Sequence, residues 1–120
     1  MNPHYVACIL TLCDTFHEDM TVMSIKLDHL HRTSKRLKAS IPPYALDVAA
    51  LNHRLMLVRE DHRRAVSDCA WILWCFRRLR RRGFQDDWHV GRGYSILKVE
   101  FELWMVKWKL QRIGKRLGDV

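Results

Sequence analysis

Cysteine, histidine, tryptophan and arginine are the residues here whose types and spacing could do chemistry. The four cysteines are Cys8, Cys13, Cys69 and Cys75, and none forms a C-x-x-C pair. Gaps of five and six residues put helical partners on different faces, which removes the usual zinc-finger and redox patterns. Seven histidines raise the question of a metal. His17-Glu18-Asp19-Met20-Thr21 opens like a zinc-protease helix but has no second histidine four residues on. His29 and His31 are two apart and cannot share a helical face. His62 falls on an apolar stripe, where a histidine satisfied within the core is expected. No metal and no cofactor is expected.

Catalytic sets are equally sparse. Gly91-Arg92-Gly93 is a single G-x-G without a preceding strand or a third glycine, so it is a poor phosphate cradle. Glu100 and Glu102 are too close in sequence to act from one helical face. No Ser/His/Asp or Cys/His arrangement can be placed, and the chain is expected not to be an enzyme.

Arginine and tryptophan carry a stronger signal. The run Arg77-Arg-Leu-Arg-Arg-Arg82 places Arg77, Arg78, Arg80, Arg81 and Arg82 in six residues, beside Trp71 and Trp74. Guanidinium pairs bidentately with phosphate oxygens, and Trp with Arg is typical of protein interfaces and of stacking on bases. A solvated helix end with cations in its last turn explains one or two of these arginines, not five. Lys98, Lys107, Lys109, Arg112, Lys115 and Arg116 extend the basic surface towards the C-terminus. Of these, Lys109, Arg112, Lys115 and Arg116 join the arginine run as the expected nucleic-acid contacts. A second apolar stripe, Leu97, Phe101, Trp104 and Trp108, is helically spaced. Together with Trp71 and Trp74 it forms the expected partner or subunit interface. The alternative is that loops or the N-terminal segment cover it.

Hydrophobic spacing defines the elements that must position these groups. Val6, Ile9, Cys13, Phe16, Met20, Met23, Leu27, Leu30, Ser34, Leu37 and Ile41 alternate in steps of three and four, a helical seam. Asn2-Pro3 suits its start, and Pro42-Pro43 its end. The alternation resumes at Val48, Leu51, Leu55, Val58, His62, Ala65, Cys69, Ile72, Phe76 and Leu79. This permits one helix from Tyr44 to Arg82. The wholly charged Arg59-Glu-Asp-His-Arg-Arg64 equally suits a short turn capped by Asp61, and the turn is the favoured reading because one long helix lacks a match other than the first. Gly83 ends that segment, residues 84–93 read as a loop, and Ser95 caps a last helix with Ile96, Val99, Leu103, Val106, Leu110, Ile113 and Leu117 in its seam. The expected plan is all-α: an antiparallel four-helix bundle with a heptad-like core and helices at about 3–39 (continuous, or broken near Asp19), 44–59, 62–82 and 95–117. Cys13 and Cys69 lie on the seams and are expected to be buried thiols in a reducing compartment.

Composition agrees with a single domain. The chain has 120 residues, 48% hydrophobic and 28% charged, which is globular rather than disordered. Its longest apolar run, Cys69 to Phe76, is too short to span a membrane. Residues 6–12 lack the flanks of a signal peptide, so a cytoplasmic location is expected. The net charge of +8 is uneven: residues 1–31 carry one base and four acids, residues 32–120 twenty bases and nine acids. Such asymmetry favours a polyanion on one side of the molecule.

In this order the motifs resemble a known family. Ser40-Ile41-Pro42 follows the first helix, the Arg59-Glu-Asp-His-Arg63 segment comes next, and Leu79-Arg-Arg-Arg82 ends the basic helix. A loop with Tyr94 follows, and the tail reads Ile113-Gly114-Lys115-Arg116-Leu117-Gly118. The pattern is similar to the four-helix-bundle family of the accessory variability determinant (Avd) proteins of diversity-generating retroelements and ribosomal-RNA intervening-sequence proteins. It covers roughly residues 20–118, leaving 1–19 as an N-terminal helical extension. Asp119-Val120 and Tyr44 depart from it, standing where the family tends to have Gly-Trp and a basic residue. The resemblance implies a non-catalytic accessory subunit, a homopentamer that binds a reverse transcriptase and nucleic acid (RNA or an RNA/DNA hybrid) and supports cDNA synthesis. It places the arginine run and the C-terminal bases on the polyanion, although only Lys115 and Arg116 lie in the motif itself. The alternative reading is a small phage- or plasmid-type adaptor or inhibitor that works through the Trp/Phe stripe.

Overall fold

Unbroken three-four spacing, with glycine and proline absent from the interior, lets the first 37-residue segment run as one helix, α1 (Pro3–Ala39). There is no break near Asp19. Two further helices follow, α2 (Ala45–Arg81) and α3 (Ile96–Gly118). The computed structural model describes the backbone of residues 3–39, 45–81 and 96–119 and the side chains of 7–39, 46–78 and 98–119. The expected Asn2 cap, the Ile41-Pro42-Pro43 corner, the Gly83 stop, the Gly91–Gly93 loop and the Ser95 cap lie outside the described residues.

The expected turn at Arg59–Arg64 is not made. α2 passes straight through it, so the described residues form three helices where four are expected. The reasons are local. Nothing in the segment breaks a helix, and its charges stay at the surface. Arg63 donates both to Oε1 and to Oε2 of Glu60, three residues back, at 2.6 and 2.7 Å. Asp61 reaches across to Lys26 of α1 at 4.0 Å. His62 is half-buried, and its Nε2–H donates to the Leu110 carbonyl at 2.7 Å. α2 finds its match in length in the first helix, since α1 and α2 both have 37 residues.

All three helices pack on one another. Lys26 beside Asp61 sets α1 against α2 in antiparallel register. Phe101 beside Leu73, and Leu110 beside His62, make α3 antiparallel to α2. α3 therefore runs parallel to α1, with His17 next to Glu102 and Asp28 next to Arg116. The buried seam follows the expected spacing: Cys13, Phe16, Met20, Met23, Leu27 and Leu30 meet Leu55, Val58, Ala65, Cys69 and Phe76. α3 closes it with Val99, Leu103, Val106, Leu110, Ile113 and Leu117. Gly114 lets the His62 ring lie against α3, since a Cβ there would stand 3.1 Å from Cε1. At one end the seam weakens. Leu37 is half-buried and Val48 exposed, because α3 stops short of them. The molecule is a rod of 65 × 21 × 18 Å.

Candidate nucleic-acid interface

α3 buries a stripe no wider than its core seam, so everything opposite that seam faces solvent. Phe101, Trp104 and Trp108 occupy that outer ridge. On α2, Trp71 and Trp74 stand on the outer face, one turn before Arg77 and Arg78. These five aromatic side chains are between 41% and 64% exposed. Within each helix the indoles pair by their three- or four-residue spacing. Trp71 and Trp74 stack with centroids 5.3 Å apart and planes at 24°, and Trp104 and Trp108 at 6.5 Å and 12°. Each pair carries a guanidinium. Arg78 lies 5.1 Å from the Trp74 ring centroid and Arg112 4.9 Å from that of Trp108. Cation–π contact of this kind holds an arginine against an aromatic face while its N–H fork stays free to meet phosphate.

Between the two Trp-bearing faces runs a groove. Its larger part, about 650 Å³, is lined by Val66, Cys69, Ala70, Leu73 and Trp74, with Arg77, Arg78 and Lys107 at the rim. A second hollow of about 470 Å³ shares Leu73, Arg77 and Lys107 and is closed by Phe101, Trp104 and Glu100. The groove therefore has an apolar floor, aromatic walls and three cations along its mouth.

The remaining cations fall elsewhere. Lys109, Arg112 and Arg116 line a hollow of about 600 Å³ on the other side of α3, against His17, Thr21, Ser24 and Asp28 of α1. Lys109 Nζ donates to His17 Nδ1 at 3.2 Å, and His17 Nε2 then faces Glu102 at 3.5 Å. Arg116 pairs with Asp28. These two bases are committed to holding α3 on α1, whereas Arg112 lies over Trp108. Lys115 is exposed. The side chains of Arg80, Arg81 and Leu97, and all of Arg82, lie outside the described residues.

Sequence spacing thus names most of the groove's cations and aromatics but treats the basic residues as one surface, which the fold divides around α3. Lys107 belongs to the mouth of the groove, and its signal is that it follows Trp104 by three residues on the side turned to α2. Leu73 and Ala70, which floor the groove, carry no such signal, since small and aliphatic residues on α2 are indistinguishable from core.

Cys69 sits at the groove floor with Cys13 behind it, both buried. Burial raises the Cys13 thiol to about 12, with Glu102 adding to the effect, and raises that of Cys69 against an opposing pull from Lys107. Both stay protonated at neutral pH and are poor nucleophiles. Among the described residues no cluster of three or more His, Cys, Asp or Glu could hold a metal. No helix among them is long and apolar enough to cross a membrane. Comparison with protein-family models, with curated proteins and with solved structures returned no match.

Proposed function

We propose that this chain is a non-catalytic accessory protein that binds single-stranded nucleic acid in the α2–α3 groove. The observation that carries it is a groove walled by Trp74 of one stacked pair and by Phe101 and Trp104 of α3, with Arg78 on the Trp74 face, and rimmed by Arg77, Arg78 and Lys107. Exposed indoles offer their faces to unpaired bases, each worth about 1–3 kcal/mol by stacking, while the cations take the phosphates. A duplex hides its base faces and would use only the charge. The sequence resemblance supplies the setting: partnership with a reverse transcriptase in a diversity-generating retroelement, with the chain assembled as a pentamer and its bases holding RNA or cDNA during synthesis.

The test is fluorescence anisotropy with a labelled single-stranded RNA of about 20 nucleotides, repeated across salt concentrations. Each phosphate contact adds about 0.7 to the log–log salt slope for a single strand. The variant Arg77→Ala/Arg78→Ala/Lys107→Ala should weaken binding at least tenfold and flatten the slope by about two. Trp74→Ala should weaken binding with the slope intact. Unchanged affinity in a folded triple variant removes the proposal.

A second reading is favoured by one observation, the exposure of Phe101, Trp104 and Trp108 on one ridge. Such a ridge suits a protein partner, and the chain would then be an adaptor or inhibitor. Light scattering separates the two: a pentamer-sized species that binds RNA supports the first, and a monomer or dimer indifferent to RNA the second.

A further inference from the structure

α3 fills its groove on the α1–α2 pair for only part of that pair's length. It has 23 residues against 37 in each neighbour, so at 1.5 Å per residue it is about 21 Å shorter. Most of the shortfall is at the end where α3 stops, although α1 also runs past the start of α3, since His17 lies beside Glu102 and Lys109. The start of α3 is level with the end of α2, where Glu100 and Phe101 meet Leu73, Phe76 and Arg77. Its last turn is level with Asp28, which pairs with Arg116. Beyond this the groove continues without a third helix among the described residues.

The rows that border α3 show what that stretch presents. On α1, the row His17, Thr21, Ser24, Asp28 continues as His31, Lys35, Lys38. On α2, the row that includes Val66, Ala70 and Leu73 continues towards the N-terminus as Arg59, Met56, Leu55, Asn52 and Val48. Leu55 is buried and Leu51 half-buried, but Val48 is 36% and Met56 58% exposed. The stretch is therefore an apolar strip with Lys35 and Lys38 along one edge and Arg59 on the other. No Asp or Glu stands in either continued row. Asp28, just before this stretch, is paired with Arg116, and Asp119 follows the last turn of α3, while Asp47 lies seven and fourteen residues from Arg54 and Asp61, on the row that faces α1.

We infer that this open stretch is a docking groove for an acidic amphipathic helix of a partner protein, about three turns of which would lie where α3 would continue if it were longer. Charge decides the occupant. A second copy of this hairpin end would bring Lys35, Lys38 and Arg59 against the same three cations. An acidic helix meets them with opposite charge and completes the three-helix cross-section. The inference stands apart from the nucleic-acid reading, because it uses none of the residues of the α2–α3 tryptophan groove.

The experiment uses the full chain and two fluorescein-labelled peptides of about 14 residues, each with leucine at positions 3, 6, 10 and 13. One carries glutamate at the flanking positions, the other lysine. The glutamate peptide should bind saturably and the lysine peptide at least tenfold more weakly. Lys35→Glu/Lys38→Glu should reverse that preference, with helical circular dichroism unchanged. Val48→Asp should abolish binding of both peptides. Equal binding of the two peptides, or a preference unmoved by the charge reversal, overturns the proposal. So does displacement of the bound peptide by single-stranded RNA. A dimer that dissociates in the Val48→Asp variant assigns the groove to a second copy and overturns it as well.

Discussion

At the scale of single residues, burial decides what the reactive groups can do. Cys13 and Cys69 would be nucleophiles if exposed, yet both lie inside the bundle with raised thiol pKa values, and what they contribute is packing. The same shift has a pH consequence. Cys13 titrates near 9.0 when unfolded and near 12 when folded, so the folded state holds its proton more tightly. Its contribution is fully present below pH 9 and is lost as pH rises towards 12. Urea unfolding at pH 8 and pH 10.5 should show the Cys13→Ala variant losing less stability over that interval than the wild type, by up to about 1.4 kcal/mol per pH unit. Equal losses would mean that the thiol is not withheld from ionisation. Among the bases the division is by partner. Lys109 and Arg116 are spent on His17 and Asp28, while Arg77, Arg78 and Lys107 face the groove.

At the scale of elements, α2 is the decisive one. Its charged middle could form a capped turn or continue, and it continues because His62 finds a carbonyl on α3 while the charges around it find neighbours or solvent. A proline distinguishes the two arrangements. In a turn capped by Asp61, position 63 falls in the first helical turn, where proline is tolerated. Inside a continuous helix it removes a hydrogen bond and clashes with the turn before it, at about 3 kcal/mol or more. Arg63 is exposed, so Arg63→Pro tests the backbone rather than the core. A shift of about 3 kcal/mol in urea unfolding is expected, and a shift below about 1 kcal/mol would restore the turn. α3 shows how one helix can serve two grooves: its core seam fixes its position, Lys107 and Trp104 turn towards α2, and Lys109 and Arg116 towards α1.

At the scale of the whole molecule, the rod has a three-helix part and a two-helix part, and their stabilities must differ. Backbone amides of residues 13–30, 58–76 and 99–113 lie where three helices exclude water. Those of 33–39 and 46–54 belong to a hairpin end with few buried side chains. Hydrogen exchange measured by mass spectrometry should therefore show a gradient along the rod, with the hairpin end exchanging through local opening and the three-helix part only through global unfolding. Uniform protection along α1 and α2 would contradict the division. The acidic-helix peptide should slow exchange selectively at the hairpin end.

The helical class, the core seams and the identity of the aromatic and basic residues follow from the sequence alone, because a three-four period survives any arrangement of the helices around it. Burial of Cys13 and Cys69 is legible for the same reason. The number of helices was not, since a charged hexapeptide without glycine or proline is compatible with both turn and helix, and only the partner found by His62 selects between them. Nor was the sorting of cations legible. Arg116 and Arg112 stand four residues apart on one helix, and only the position of Asp28 on α1 makes one an ion pair and leaves the other on Trp108. Spacing alone indicates which residues turn inward along the three-helix part, but Leu37 and Val48, on the same seams, stay partly or fully exposed where α3 has ended. The tertiary structure decided which outward residues meet, because that depends on the register of three helices and on where the shortest of them ends.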